Sequence, residues 1–131
     1  MGMEDILDCD NERPLFWMGS AYRDLCAFPA AARREAGYNL GLVQNGLKPH
    51  DVKPLEQVGP GACELRIGTD GGGGNQQHRV LYLARFPEAV YVLSAFPKKS
   101  QKTPHHEVAL ARRRYAEVLL ARREHSPTRR S

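Results

Sequence analysis

The sequence predicts an α+β fold, in which a small, mainly antiparallel sheet carries an N-terminal helical hairpin and a C-terminal helix. Apolar residues recur at helical spacing in two regions, residues 21–47 and 103–124. Between these regions lie one short segment in which apolar and charged residues alternate and two segments rich in Val, Leu and Tyr. Strands joined by short connections pair antiparallel, so with one early strand the predicted order of elements is β-α-α-β-β-β-α.

Length and composition limit the classes of protein to consider. A chain of 131 residues, of which 41% are hydrophobic, can form one domain with one modest core. No stretch approaches the roughly 20 apolar residues that span a bilayer, and the first residues lack the apolar centre of a secretion signal. The three cysteines are scattered without metal-ligand spacing. We therefore expect a cytoplasmic protein with reduced thiols and without a metal, a cofactor or a membrane partner.

The charge of the chain is unevenly distributed. Residues 1–12 carry five carboxylates and no Lys or Arg, which gives −5, so the net +4 of the chain leaves +9 on the remainder. Residues 98–131 carry ten Lys or Arg against three Glu, which gives +7. A basic body of this kind is typical of a protein that binds nucleic acid. We expect a flexible acidic leader over residues 1–13, a domain over 14–124 and a flexible tail over 125–131.

The first strand and the first helix are predicted from residues 15–28. A short apolar run with two aromatic residues spans 15–18 and is bounded by Pro14 and Gly19, which favours a buried strand. Ser20 can accept hydrogen bonds from free backbone N–H groups, so it is the predicted cap of a helix over 21–28.

The second helix is predicted from Pro29 onward, because proline suits the first turn of a helix. Asn45-Gly46 predicts its end. Gly37 and Gly41 are four residues apart, and we expect another backbone to approach the helix closely there. The apolar side chains that recur at helical spacing are Ala32, Ala36, Leu40, Val43 and Leu47.

The centre of the chain is predicted to form a loop and three strands. Proline and glycine are frequent over residues 48–61, which predicts a loop. In the next segment, Glu64 and Arg66 alternate with apolar residues, which predicts a half-exposed strand. A glycine-rich turn follows, and the other two strands are predicted over residues 78–86 and 89–96.

The last helix is predicted to begin at Thr103 as the cap, with Pro104 in its first position. The arginines at 112–114 and at 122 lie largely off its apolar stripe, and those at 112–114 are expected to form a solvated helix face or a docking surface for nucleic acid or an acidic protein. The stripe consists of Val108, Ala111, Tyr115, Val118 and Leu119.

Several motifs together resemble a known family. The run DVKPLEQVGPGACELRI, followed by HRVLYLA and by VYVLSAFPKKSQKTPHHEVALARRR, resembles the phage-derived, HigB-like branch of the RelE toxin superfamily. The resemblance extends from about Leu15 to Arg123. It implies a RelE-like fold and the toxin of a type II toxin–antitoxin system, a metal-independent endoribonuclease that cleaves mRNA at the ribosome. It also implies a cognate antitoxin, often of the helix-turn-helix type, as a partner.

RNA can be cleaved without a metal if the 2′-hydroxyl attacks the adjacent phosphorus and the 5′-oxygen leaves. The site must take a proton from the 2′-hydroxyl, neutralise charge on the phosphate and assist the leaving oxygen. The resemblance suggests that Lys and Arg perform much of this chemistry. Our catalytic candidates are Arg66 and Arg79, as phosphate clamps, and either Lys53 or Lys98 as the base, since the pKa of a lysine can move.

Further residues are candidates for RNA binding. Phe96 could stack on a base, and His105 could exchange protons near neutral pH. Adjacent helical residues point about 100° apart, so His105 and His106 are not expected to share a metal. The full set of RNA-binding candidates is Lys48, Phe96, Lys99, Lys102 and His105.

Each candidate also has a purely structural interpretation. Arg66 could pair with Glu64 or Glu56, and Arg79 could simply solubilise a strand. Phe96 is more often a core residue, and Lys98 with Lys99 could protect an edge strand from aggregation. The alternative function is therefore a non-catalytic RNA- or partner-binding module with a RelE-like fold, and a third is a structural phage-derived protein.

Overall fold

A computed structural model describes residues 12–68, 77–98 and 102–124. These residues form five strands and three helices, in the order β1 (Leu15–Trp17), α1 (Ala21–Cys26), α2 (Ala30–Gln44), β2 (Val52–Pro54), β3 (Ala62–Ile67), β4 (Gln77–Leu83), β5 (Val90–Lys98) and α3 (His105–Glu124). The predicted α+β class is confirmed. The acidic stretch 1–11, the glycine-rich turn, Lys99 and the predicted tail 125–131 lie outside the described residues.

The five strands form one sheet in the order β1-β5-β4-β3-β2. β1 runs parallel to β5, and the other neighbours are antiparallel. The strand β2 corrects the prediction of a continuous loop over residues 48–61. It has only three residues and ends at Pro54, and a strand this short at a sheet edge leaves no alternation to read in the sequence.

Helices cover both faces of the sheet. Leu25 of α1 and Leu40 of α2 belong to a core on one face, and Val108 and Tyr115 of α3 belong to a second core on the other. The prediction that β3 is half-exposed is therefore wrong at Glu64, which is fully buried on the face that α3 covers. A polar face was expected because the sequence of a strand does not reveal which element packs against it.

The predicted stripe of α2 is buried except for Leu47, which is exposed beyond the end of the helix. Gly46 has a φ of +78°, which confirms that the Asn45-Gly46 pair ends this helix. The expected close approach at Gly37 and Gly41 is wrong, because a methyl group added at either position would meet no atom within 4 Å.

Two predicted details of the helix surfaces are corrected. Ser20 makes no capping hydrogen bond through its side chain, and its hydroxyl donates instead to the Asp24 carboxylate at 2.7 Å. Arg114, expected to be solvated, is buried and donates through Nη1 to the Leu93 carbonyl at 2.8 Å. Its guanidinium packs against Gly19, where an added methyl group would collide with it. The apolar stripe of α3 is otherwise buried except at Leu119.

Arg13 ties the start of the described chain to the domain, although the sequence assigned it to the leader. Its Nη1 donates to the carbonyl oxygens of Ala84 at 2.7 Å and Phe86 at 3.1 Å, and its Nη2 donates to that of Val43 at 2.9 Å. One guanidinium therefore links the end of α2 to the connection between β4 and β5.

We expect Arg13→Ala to lower the free energy of unfolding by about 3 kcal/mol, because three charge-assisted hydrogen bonds are lost and three carbonyls lose a donor. Urea denaturation measures the change. The matched control is Arg34→Ala, which removes an exposed arginine of α2 and should leave stability within about 0.5 kcal/mol of the wild type. Equal stability of the two variants would contradict the role of Arg13.

Candidate functional site: basic side chains around a buried carboxylate

The strand register brings all four catalytic candidates to one face of the sheet. Arg66 of β3 lies opposite Arg79 of β4, and Lys53 of β2 lies opposite Glu64 of β3. Lys98 of β5 lies opposite Gln77, two residues from Arg79. Directly opposed residues, and residues two apart on one strand, share a face. These side chains therefore lie on the face that α3 covers, at the end of the sheet where β4 begins and β5 ends.

Glu64 is the centre of this arrangement, and its side chain is 0% exposed. Its Oε2 accepts a hydrogen bond from Nε of Arg79 at 2.6 Å and lies 3.5 Å from Nζ of Lys98. Its Oε1 accepts a hydrogen bond from the Thr103 hydroxyl at 3.1 Å. We call Glu64, Arg79, Lys98 and Thr103 the Glu64 cluster.

The Glu64 cluster contains two residues that the sequence did not suggest for the site. Glu64 was considered only as a partner of Arg66, and Thr103 only as a helix cap. The helix begins at His105, so Pro104 and not Thr103 directly precedes it, and the Thr103 hydroxyl donates to the Glu64 carboxylate. A sequence signal for Glu64 did exist, because it is a charged residue on the strand face that meets the apolar stripe of α3. This signal can be used only if α3 is known to pack on that face.

Burial separates the four catalytic candidates into two pairs. Arg79 and Lys98 are 5% and 3% exposed, so both side chains lie almost wholly below the surface, and their catalytic roles stay predictions. The solvated-strand interpretation of Arg79 is wrong. Lys53 is exposed on the edge strand β2, and the side chain of Arg66 is 38% exposed. The accessible part of the site therefore consists of Arg66 and Lys53 beside a buried cationic pair.

Arg66 has a different partner from those expected. Its Nε lies 3.5 Å from Oδ1 of Asp51, so Glu64 and Glu56 are not its partners. This ion pair is long, and within the described parts of the chain the Nε atom has no hydrogen-bond acceptor. Because this Nε atom is itself buried, an incoming anion would have to meet the exposed remainder of the Arg66 side chain.

The RNA-binding candidates are distributed differently. Phe96 is 5% exposed and belongs to the core under α3, so the core interpretation is correct and its ring offers almost no surface to a base. Lys48, Lys102 and His105 are exposed.

The surroundings of the Glu64 cluster shift the pKa values of Lys98 and Glu64 away from their usual ranges. Burial lowers the pKa of Lys98, the Glu64 carboxylate opposes this, and the charges of Arg79 and Lys53 lower it further. Burial alone would raise the pKa of Glu64, but Lys98, the Thr103 hydroxyl and Arg79 together hold it below its usual value. A lysine with a lowered pKa can exchange a proton nearer to neutral pH than an ordinary lysine can.

The described ranges contain neither a metal-ligand group nor a membrane-spanning helix. Among residues 12–68, 77–98 and 102–124, no group of three or more His, Cys, Asp or Glu side chains has the arrangement of a metal site. None of the helices in these ranges is long and apolar enough to cross a membrane.

A comparison against protein families matches most of the described fold to one family model. The family model described as phage derived protein Gp49-like (DUF891) matches residues 23–116, which is more than half of the chain. The chain therefore belongs to this family, which is associated with toxin–antitoxin systems and lies within the RelE/HigB-like superfamily. The matched range contains every residue of the Glu64 cluster. A comparison with curated proteins finds no match. The superfamily resemblance is thus confirmed, and the HigB-like branch stays a prediction.

We expect Arg79→Met to lower the free energy of unfolding by about 3 kcal/mol, because the buried Glu64 carboxylate loses its shortest partner. Adding Glu64→Gln to that chain should recover about 2 kcal/mol, because the two changes act on one pair. Urea denaturation of the wild type, both single variants and the double variant measures this coupling energy.

The control for this cycle replaces an exposed carboxylate of α3, as Glu117→Gln, and should show no coupling to Arg79→Met. Simple additivity of Arg79→Met and Glu64→Gln would contradict the buried pair.

Proposed function

We propose that this protein is the toxin of a type II toxin–antitoxin pair and a metal-independent endoribonuclease that cleaves mRNA at the ribosome. The observation that carries the proposal is the collection of Lys53, Arg66, Arg79 and Lys98 on one sheet face around Glu64. Membership of a toxin–antitoxin-associated family supports the same class of function and an antitoxin as partner. The site of action would be the cytoplasm, where mRNA and ribosomes are found.

The chemistry follows from the charges of the site. The RNA 2′-hydroxyl gives its proton to a base and attacks the adjacent phosphorus, while the bond to the 5′-oxygen breaks and that oxygen takes up a proton. The products are a 2′,3′-cyclic phosphate and a free 5′-hydroxyl. Arg66 and Arg79 would stabilise the charge that develops on the phosphate. Lys98, with its lowered pKa, or the exposed Lys53 would act as the base.

The geometry of Arg79 is compatible with a role at the phosphate despite its burial. Its two hydrogen bonds use Nε, to Glu64, and Nη1, to the His78 carbonyl at 3.3 Å. Neither bond uses Nη2, so the guanidinium has a donor left for a phosphate oxygen.

One observation favours the second candidate, a non-catalytic RNA- or partner-binding module. Arg79 and Lys98 are nearly inaccessible, and both are close to the Glu64 carboxylate that balances their charge. In such a module, the exposed cations Lys48, Lys53 and Lys102 would hold the RNA backbone, and the Glu64 cluster would serve only as a structural core.

We expect expression of the chain alone in bacteria to arrest growth, and Arg66→Ala to relieve the arrest. Loss of one charged donor at the phosphate should lower cleavage about 100-fold. Primer extension on mRNA after induction measures the cleavage directly, as new 5′ ends.

The matched control is Arg34→Ala, on a helix that packs against the opposite face of the sheet, and it should arrest growth like the wild type. Circular dichroism checks that both variants fold. A soluble wild type that neither arrests growth nor generates new 5′ ends would favour the binding module.

A further inference from the structure

The cleavage scheme leaves one buried residue without a role. Glu64 is fully buried, and four separate parts of the fold meet at its carboxylate: β3 itself, Arg79 of β4, Lys98 of β5 and Thr103 just before α3. Both carboxylate oxygens are occupied, Oε1 by Thr103 and Oε2 by the two cations. Because each contact of this carboxylate comes from a different element, Glu64 fixes the positions of those elements relative to one another.

Stability alone does not account for such a group. Burying an ion costs several kcal/mol, and well-packed apolar residues often replace a buried ion pair without loss of stability. A polar group of this kind does, however, hold charged side chains in one geometry. A site that stabilises developing charge is more effective when its hydrogen-bond donors are held in place before the substrate binds.

We propose that Glu64 is a positioning residue, which holds the guanidinium of Arg79 and the ammonium group of Lys98 side by side so that both address the same phosphate group of an RNA substrate. The inference rests on the proposed function and deepens it, because it assigns the organisation of that site to a residue that does not react.

Two alternative roles for Glu64 fit the observations less well. As a general base it would need a carboxylate oxygen free to take the proton, but Oε2 already accepts from Arg79 at 2.6 Å and Oε1 accepts from Thr103 at 3.1 Å. Its pKa is also held below the usual value, which weakens it as a proton acceptor. If Glu64 instead competed with the RNA phosphate for Arg79 and Lys98, it would have to break its contacts with three other elements before RNA could bind.

Glu64 also sets the charge environment of Lys98. Among the described residues, the charged groups that act on Lys98 include Glu64 on β3, Arg79 on β4 and Lys53 on β2. Of these three, Glu64 is negative, and it raises the pKa of Lys98 against burial and against both cations. Removal of the carboxylate charge should therefore lower the pKa of Lys98 further, so that the lysine loses its proton at a lower pH than in the wild type.

The decisive variant is Glu64→Gln, which keeps the size of the side chain and removes its charge. The amide oxygen can still accept from Arg79, and the amide nitrogen can donate to the Thr103 hydroxyl. We expect cleavage of a reporter mRNA in a purified translation reaction to fall about 100-fold, because the two cations are no longer held together. We also expect the titration midpoint of Lys98, followed by NMR of 15N-labelled lysine, to move to lower pH.

Two further variants separate positioning from a general loss of stability. Val118→Ala truncates a buried residue of α3 outside the Glu64 cluster, so it should lower the free energy of unfolding and leave the Lys98 midpoint unchanged. Thr103→Val removes the donor to Oε1 and keeps the Glu64 charge, so cleavage should fall by about tenfold if that contact holds the carboxylate in place. This variant also tests the inference if Glu64→Gln does not fold.

The outcomes can be told apart. Wild-type cleavage by Glu64→Gln or, if that variant does not fold, by Thr103→Val overturns the inference. Faster cleavage or tighter RNA binding by Glu64→Gln would make Glu64 a competitor of the phosphate and also overturn it. If the wild type cleaves no RNA, the proposed function is lost, and RNA binding decides the inference: weaker binding by Glu64→Gln than by the wild type supports it, and equal binding overturns it.

Discussion

The ion pairs of the Glu64 carboxylate are the constraint on which the polar end of this sheet depends. Helices cover both faces of the sheet, so a charge on a central strand cannot be left to water and must be balanced inside the protein. The register provides Arg79 and Lys98 on the same face, and the segment before α3 provides Thr103. With these residues in place, the cations that remain accessible, Lys53 and Arg66, lie beside a buried group of fixed charge.

The sequence was a good guide to the parts of the fold that depend on local patterns. The helices follow from apolar spacing, and the end of α2 follows from Asn45-Gly46, because these signals act within a few residues. The errors concern contacts between distant elements. β2 has only three residues, and Arg114 is polar at a position where burial depends on Leu93 and Gly19. No local pattern reveals which side chain a remote strand or turn will cover.

The sequence predicted the four cations of the site, but it predicted neither their burial nor their contacts. The motif resemblance pointed to four cations, and the register brings all of them to one face. The burial of Arg79 and Lys98 and the carboxylate that these two share could not be read, because alternation in the segment of Glu64 and Arg66 is identical for a solvated face and for one beneath a helix. Glu64 therefore looked like a surface partner, although it organises the cluster. For Phe96, in contrast, the residue type alone already favoured a position in the core.

The parallel pairing of β1 with β5 has a consequence for how the protein is made. Leu15 lies opposite Val90, so within the described sheet the first strand finds its neighbour some 75 residues later in the chain. During translation the growing polypeptide exposes β1 without a partner until that second segment has left the exit tunnel, and Thr103 emerges later still. Contacts of such long range form late and slowly in folding. A newly synthesised copy therefore completes its Glu64 cluster only after Thr103 has left the exit tunnel.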